Sequence, residues 1–226
     1  MLPEAAVSPT TPAFVTLEGV EGCGKSTQIL KLARFLSQAG VPHRVTREPG
    51  GCPVGDAVRG VLLDPDHRGM HGITELLLYA AARHQHLTEV IEPALAAGHT
   101  VLCDRYRDAT RAYQGYGRGL SLDVIEAVHR LPGLDREADL TLLLDHPVEP
   151  ALARARQRQD QTGDRLTRFE DEEIAFHQRV RDGYLAVAAG ATDRVVVVDA
   201  CGSVNEVQQR LRQALAAHLR LTMSPS

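Results

Sequence analysis

The chain has 226 residues, 43% of them hydrophobic and 24% charged, with a formal net charge of −4. That length supports a sizeable core, the composition is ordinary for a soluble globular protein, and the charge argues against a general nucleic-acid binder, which is usually basic. Cys23, Cys52, Cys103 and Cys201 are scattered without a C-x-x-C pair, so neither a zinc site nor a disulfide framework is indicated, and reduced thiols in a cytoplasmic protein are expected.

Residues 1–12 carry three prolines and lack the positive start and apolar core of a signal peptide, so they read as a disordered tail. No later run is apolar for long enough to span a membrane. The first β–α unit runs from about Ala13 to Ala39, with Gly40 as its left-handed helix cap. Between its strand and its helix lies Gly19-Val20-Glu21-Gly22-Cys23-Gly24-Lys25-Ser26, which fits G-x-x-x-x-G-K-[ST]. Glycines there let the backbone wrap a phosphate chain, so that successive N–H groups form an anion-binding nest at the positive end of the helix. Lys25 then reaches the β- and γ-phosphates, Ser26 offers a hydroxyl to Mg²⁺, and Thr27 continues the binding segment.

His43 to Thr46 reads as a second strand, ending in Arg47-Glu48-Pro49-Gly50-Gly51, a loop placed where open α/β sheets bind ligands. Val54 to Leu63 predicts a short helix, and Asp66 to Gly72 a polar loop. Thr74 to Ala97 predicts a long helix bent by Pro93. Thr100 to Cys103 is apolar, as a strand buried on both faces should be, and runs into Asp104-Arg105-Tyr106. A short helix over Asp108 to Gln114 precedes a loop from Gly115 to Gly119; Ser121 caps another helix ending near Pro132. Leu140 to Asp145 is the fourth strand and Arg194 to Val198 the fifth. Helices are expected over Pro150 to Gln157, Glu170 to Ala189 and Val204 to Leu219. Alternation throughout, without repeats or linkers, predicts one α/β domain over 13–220, a parallel sheet with helices on both faces, followed by a short tail at 221–226.

Tyr79 and Arg83 lie four apart on a helix and share a face, and an aromatic plane beside a donor fork suits a nucleobase. Thr110, Tyr113 and Gln114 share another face. Arg154, Arg156, Arg158, Arg165 and Arg168 crowd a glycine-containing stretch, the composition of a closing lid that clamps a transferred phosphoryl group.

Taken together, the P-loop, Thr46 to Gly51, Tyr79 to Arg83, Asp104-Arg105-Tyr106, Ala112 to Gly115 and Arg168-Phe169-Glu170 resemble the thymidylate kinases, P-loop nucleoside monophosphate kinases, over about Phe14 to Leu219. The resemblance implies a P-loop NTPase three-layer fold with five parallel strands and a small lid at about 155–168. It implies transfer of the γ-phosphoryl group of ATP to dTMP, Mg²⁺ as cofactor, and a homodimer without nucleic-acid or membrane partners. It puts Tyr79 on the thymine face, Arg83 on a base carbonyl, Thr110 near the ring nitrogen, and Tyr113 by the sugar with Gln114 in the same pocket. Glu48 and Pro49, with a cis peptide in view, fall on the monophosphate side. Arg105 grips the monophosphate, and Asp104 orients it or meets Mg²⁺ through water. Gly22 leaves the P-loop without an arginine, as in the bacterial subclass that takes its catalytic arginine from the lid, and Glu21 fits that subclass; Arg156 and Arg158 are the two candidates. Ala109 stands where the family usually has Ser, and Thr167 where it has Asp. Another nucleotide kinase, of the UMP or CMP type, is the alternative; a P-loop switch is the more distant one, and its guanine-reading N-K-x-D motif is absent, Asn205 being followed by Glu206.

Overall fold

The computed structural model describes residues 11–162, 167–170 and 172–221. Most of the expected N-terminal tail, the lid residues 163–166 with Arg165, and the tail at 222–226 lie outside the described residues.

Five strands form one parallel sheet: β1 (Phe14–Glu18), β2 (His43–Arg47), β3 (Thr100–Asp104), β4 (Leu140–Asp145) and β5 (Val195–Asp199). Their order is β2-β3-β1-β4-β5. The central strand β1 is flanked by β3 and β4 and is buried along its whole length. Its side chains alternate between two cores, as a pleated strand requires. Val15 and Leu17 pack with Leu32 and Leu36 of α1 (Lys25–Gln38) and with Leu211 and Leu215 of the last helix. Phe14 packs on the other face with Val101, Cys103, Ile91 and Ala94. Helices therefore cover both faces of the sheet.

The remaining helices are α2 (Pro53–Leu63), α3 (Gly72–His86), α4 (Glu92–Ala96), α5 (Arg107–Thr110), α6 (Leu122–His129), α7 (Val148–Thr162), α8 (Ile174–Gly190) and α9 (Val204–Leu219). Gly40 has φ 68° and closes α1 as expected. Ser121 accepts from the Asp123 amide to start α6, and Ser203 and Glu206 form a capping box on α9.

Four helices differ from expectation: α7 runs five residues past Gln157, to Thr162, α8 starts at Ile174 and not at Glu170, and two others contain widened turns. The long helix over 74–97 is interrupted by a π-helical segment, Leu87–Ile91. Pro93 has no N–H for the carbonyl of Glu89, so the widened turn sits just ahead of it. The helix expected over 108–114 continues as a π-helical segment, Arg111–Gly117, in place of a loop from Gly115. Gly115 and Gly117 are buried there because Leu122 and Phe176 fill the space where their side chains would stand.

Candidate active site

One cleft of about 280 Å³ opens at the C-terminal ends of β1, β2 and β3. It gathers residues from the P-loop, the loop after β2, α3, the end of β3, and the π-helical segment. This is where a parallel sheet with its strand order reversing around β1 leaves a crevice.

The P-loop depends on three glycines with positive φ: Gly19 at 135°, Gly22 at 71° and Gly24 at 104°. A Cβ at Gly22 would lie 1.8 Å from the Ala151 carbonyl oxygen, so the start of α7 rests directly on the loop. An arginine there has no room, which is the physical reason to look for the catalytic arginine elsewhere. Glu21, Gly22, Gly24, Lys25, Ser26 and Thr27 line the cleft, while Val20 and Cys23 are buried behind it. The Lys25 ammonium donates to the carbonyls of Gly19 and Val20, both at 2.9 Å, so it is held at the loop it serves.

Ser26 donates to Asp104 Oδ2 at 3.3 Å. Asp104 Oδ1 is buried with no hydrogen-bond partner among the described residues. A hydroxyl and a carboxylate side by side, with one oxygen left over, are a donor set that fits a hard cation sharing its shell with phosphates and water.

Arg105 has φ 71°, a left-handed conformation uncommon outside glycine and asparagine. Its amide bonds the Leu17 carbonyl at 3.0 Å. Its guanidinium donates to the Gly19 carbonyl at 3.1 Å, Tyr184 Oη at 2.9 Å and Glu21 Oε1 at 2.9 Å, and lies 4.8 Å from the Tyr113 ring centroid. Tyr113 Oη donates to the same Glu21 carboxylate, 2.6 and 2.7 Å from its two oxygens. Burial alone would raise the Glu21 carboxyl, but Arg105, His177 and Lys25 hold it well below the usual carboxylate range. Behind this group, Glu18 accepts from the Tyr106 amide at 2.7 Å and from Tyr184 Oη at 2.8 Å. Burial, reinforced by Asp108, pushes the Glu18 carboxyl up to about 7.

The opposite wall is built around Arg83, which is 2% exposed. It donates to Glu48 Oε2 at 2.7 Å, the Tyr106 carbonyl at 3.2 Å, Thr110 Oγ1 at 2.9 Å and His129 Nε2 at 3.3 Å. Burial disfavours its charge, yet Glu48 beside it holds the guanidinium above its ordinary pKa. Burial, followed by Arg83, drives the His129 pKa far down, so the imidazole is a neutral acceptor. Gln114 donates to Glu75 at 2.7 Å. The Glu48–Pro49 peptide is cis. Tyr79, Arg83, Thr110, Tyr113 and Gln114 all line the cleft with Glu48, Pro49, Asp104 and Arg105.

The arginines of α7 divide. Ala151, Leu152 and Ala155 are its buried face, and Arg154, Arg156 and Arg158 are exposed. Arg158 lines the cleft, 3.7 Å from Glu170, whereas Arg156 is not among the lining residues. Arg168 stands apart from the expected lid group: it is buried, 2.6 Å from Glu75, and donates to the Leu62 carbonyl. Thr167, in place of the family's Asp, donates to the Glu170 carboxylate through its hydroxyl at 2.9 Å and its amide at 3.0 Å. Ala109 lines the cleft without a hydroxyl. Arg47 pairs with Asp56 at 2.7 Å.

Sequence reasoning missed Arg59, which lines the cleft and donates to the Pro49 carbonyl at 2.9 Å, and gave no role to Phe169 of the Arg168-Phe169-Glu170 motif, which meets Tyr113 edge-on. Glu18, Glu75, His86, His129, His177 and Tyr184 support the cleft from behind. Glu18 alone carried a signal, an acid closing an otherwise apolar strand.

The model of the family described as thymidylate kinase matches residues 17–211. A thymidylate kinase of Trichlorobacter lovleyi is 55% identical over 207 residues, 91% of this chain and 98% of that protein. One of Geobacter sp. strain M21 is 51% identical over 208 residues, 92% of each chain. The crystal structure of thymidylate kinase from Ehrlichia chaffeensis superimposes with a TM-score of 0.70 at 30% identity, covering 90% of this chain and 98% of that one. With the P-loop, the prolyl loop after β2 and the arginine after β3 meeting in one cleft, and with relatives half identical along nearly its whole length, the chain belongs to the thymidylate kinase family of ATP-dependent kinases.

Proposed function

We propose that the chain transfers the γ-phosphoryl group of ATP to the 5′-phosphate oxygen of dTMP, giving dTDP and ADP by direct in-line displacement, with the residues of the cleft in the following roles. The P-loop amides and Lys25 bind the ATP phosphates. Arg105 touches the P-loop carbonyl of Gly19 and also lines the acceptor pocket, so it bridges the two nucleotides and grips the acceptor phosphate. Tyr79 stacks on thymine, and Arg83 and Thr110 meet its polar edge. Tyr113 and Gln114 close the sugar and base side; Glu48 and Pro49 frame the loop. Arg158, on the cleft, is favoured over Arg156 as the clamp on the transferred group. Ser26 and Asp104 would hold Mg²⁺, which when bound neutralises charge on the phosphates.

No covalent enzyme intermediate enters this scheme. The protein's contribution is to fix donor and acceptor in line and to place cations around the developing charge. The observation that carries the reading is the single cleft shared by the P-loop and the Arg83 wall, with Arg105 between them. A cytidylate acceptor would turn an amino group toward Arg83, donor against donor, so no observation favours that alternative.

A single kinase domain over 13–220 fits the continuous sheet, and of the lid expected at about 155–168, Arg158 reaches the cleft while Arg168 is buried against Glu75. A cytoplasmic setting fits the free cysteines at 23, 52, 103 and 201 and the lack, among the described residues, of a helix long and apolar enough to cross a membrane. Exposed Val54 and Val61 on α2 and Ile73 and Leu77 on α3 support a homodimer, which light scattering would test. The reaction is tested by ADP release with ATP and Mg²⁺: turnover that requires dTMP, prefers it to dUMP and is poor with CMP and AMP supports the assignment. ADP release indifferent to dTMP contradicts it.

A further inference from the structure

Arg83 has five N–H groups. Nε–H goes to Glu48, both Nη2 hydrogens to the Tyr106 carbonyl and Thr110, and one Nη1 hydrogen to His129. One N–H on Nη1 remains for a ligand. A base edge with a carbonyl oxygen accepts it; a base edge with an amino group does not. Discrimination therefore depends on the plane of the guanidinium, and among the described residues Glu48 is its one anionic partner.

Glu48 sits on the loop after β2, and its carboxylate accepts from the side chains of Arg83 and His86. Its other oxygen, Oε1, is 3.0 Å from His86 Nδ1. The opposite ring nitrogen, Nε2, is 2.6 Å from Thr46 Oγ1. With Nδ1–H donated to the carboxylate, Nε2 accepts the threonine hydroxyl proton. His86 is fully buried, and it lies three residues beyond Arg83 on the same face of α3, so both clamp one carboxylate. A Cβ on Gly51, which has φ 82°, would come within 2.5 Å of Thr46 Oγ1 and 2.6 Å of His86 Nε2, so the loop is folded directly onto this pair. Thr46 and His86 do not themselves reach the cleft, since neither is among its lining residues.

We propose that His86 is a positioning residue for base selectivity: it holds the Glu48 carboxylate, which aims the remaining N–H of Arg83 and so favours a base with a carbonyl over one with an amino group. This rests on the reading of Arg83 as the group that meets the base edge. Removing the imidazole leaves Glu48 Oε1 buried without a donor, and a carboxylate so placed turns or draws in water, taking Arg83 with it.

The test is steady-state kinetics with ATP·Mg²⁺ and either dTMP or dCMP, on wild type, His86→Leu, His86→Asn and Thr46→Val. The asparagine amide can restore the donor at the Nδ1 position. For His86→Leu the expected result is a KM for dTMP raised about tenfold with kcat within about threefold, and a dTMP-to-dCMP ratio of kcat/KM lowered about tenfold. His86→Asn should recover the ratio to within about threefold. Thr46→Val, which keeps the imidazole and removes one anchor, should lower the ratio about threefold and keeps the test decisive if the leucine variant does not fold. An unchanged ratio in Thr46→Val or in folded His86→Leu, or an asparagine variant no better than leucine, overturns the inference. Wild-type enzyme that prefers dCMP would instead defeat the reading of the pocket, a result told apart before any variant is made.

Discussion

The acceptor wall and the arginines of α7 treat positive charge in opposite ways. Arg83 in the wall and Arg168 behind it are buried against Glu48 and Glu75, at 2.7 and 2.6 Å. Gln114 and Thr110 are drawn into the same bonds. On α7, Arg154, Arg156 and Arg158 are exposed, and Arg158 stands 3.7 Å from the Glu170 carboxylate. Burying an arginine requires pairing it, and a paired arginine has a fixed direction. That suits reading a base, whose edge is the same before and after reaction. An exposed arginine stays hydrated and free to move, which suits a group needed only when charge shifts between phosphates.

The contrast can be broken by substitution. The largest effect is expected at Lys25, the P-loop cation proposed above for the ATP phosphates: Lys25→Ala should lower kcat by about a thousandfold or more while circular dichroism shows the fold unchanged. Arg158→Ala should lower kcat about ten- to a hundredfold with little change in KM for dTMP, and Arg156→Ala should stay within about threefold on both; the reverse order would assign the clamp to Arg156. Arg168→Ala should behave like neither, since it takes from the buried Glu75 the nearer of its two cations, 2.6 Å away, and leaves Arg118 at 3.5 Å. Its expected mark is a lower melting temperature, from a loss of about 3 kcal/mol, read by thermal unfolding.

The subtlest effect concerns pH. Glu18 is raised from an ordinary 4.5 to about 7 by burial and by Asp108. The folded protein therefore holds a proton that the unfolded chain releases between those values. Its contribution to stability is fully present below about 4.5 and is lost as pH rises through about 7, up to roughly 3 kcal/mol. Glu18→Gln should flatten that loss when unfolding by denaturant is compared at pH 5 and pH 8. An equal slope in both proteins would show that Glu18 does not titrate there.

The fold and the P-loop were legible because they rest on local patterns: apolar strands, glycines at fixed spacing and helix caps. Tyr79 with Arg83, and Thr110 with Tyr113 and Gln114, were legible as helical faces, although the second face is carried partly on a π-helical segment. The widened turns themselves have no spacing that announces them. The lid arginines were legible as a group and not as individuals. Arg168 lies behind the wall because Glu75, far away in sequence, is buried beside it. The Thr46–His86–Glu48 chain is equally long-range, and its members look like ordinary polar residues until the sheet edge and α3 are brought together.

The most direct test of this division sets dTMP binding beside phosphoryl transfer in one variant. Calorimetric titration of dTMP without ATP, and single-turnover transfer with ATP, should be measured on wild type and Arg158→Ala. A prebuilt acceptor wall predicts the same dTMP affinity to within about twofold and transfer slowed at least about tenfold. Weakened dTMP binding with undiminished transfer would contradict it.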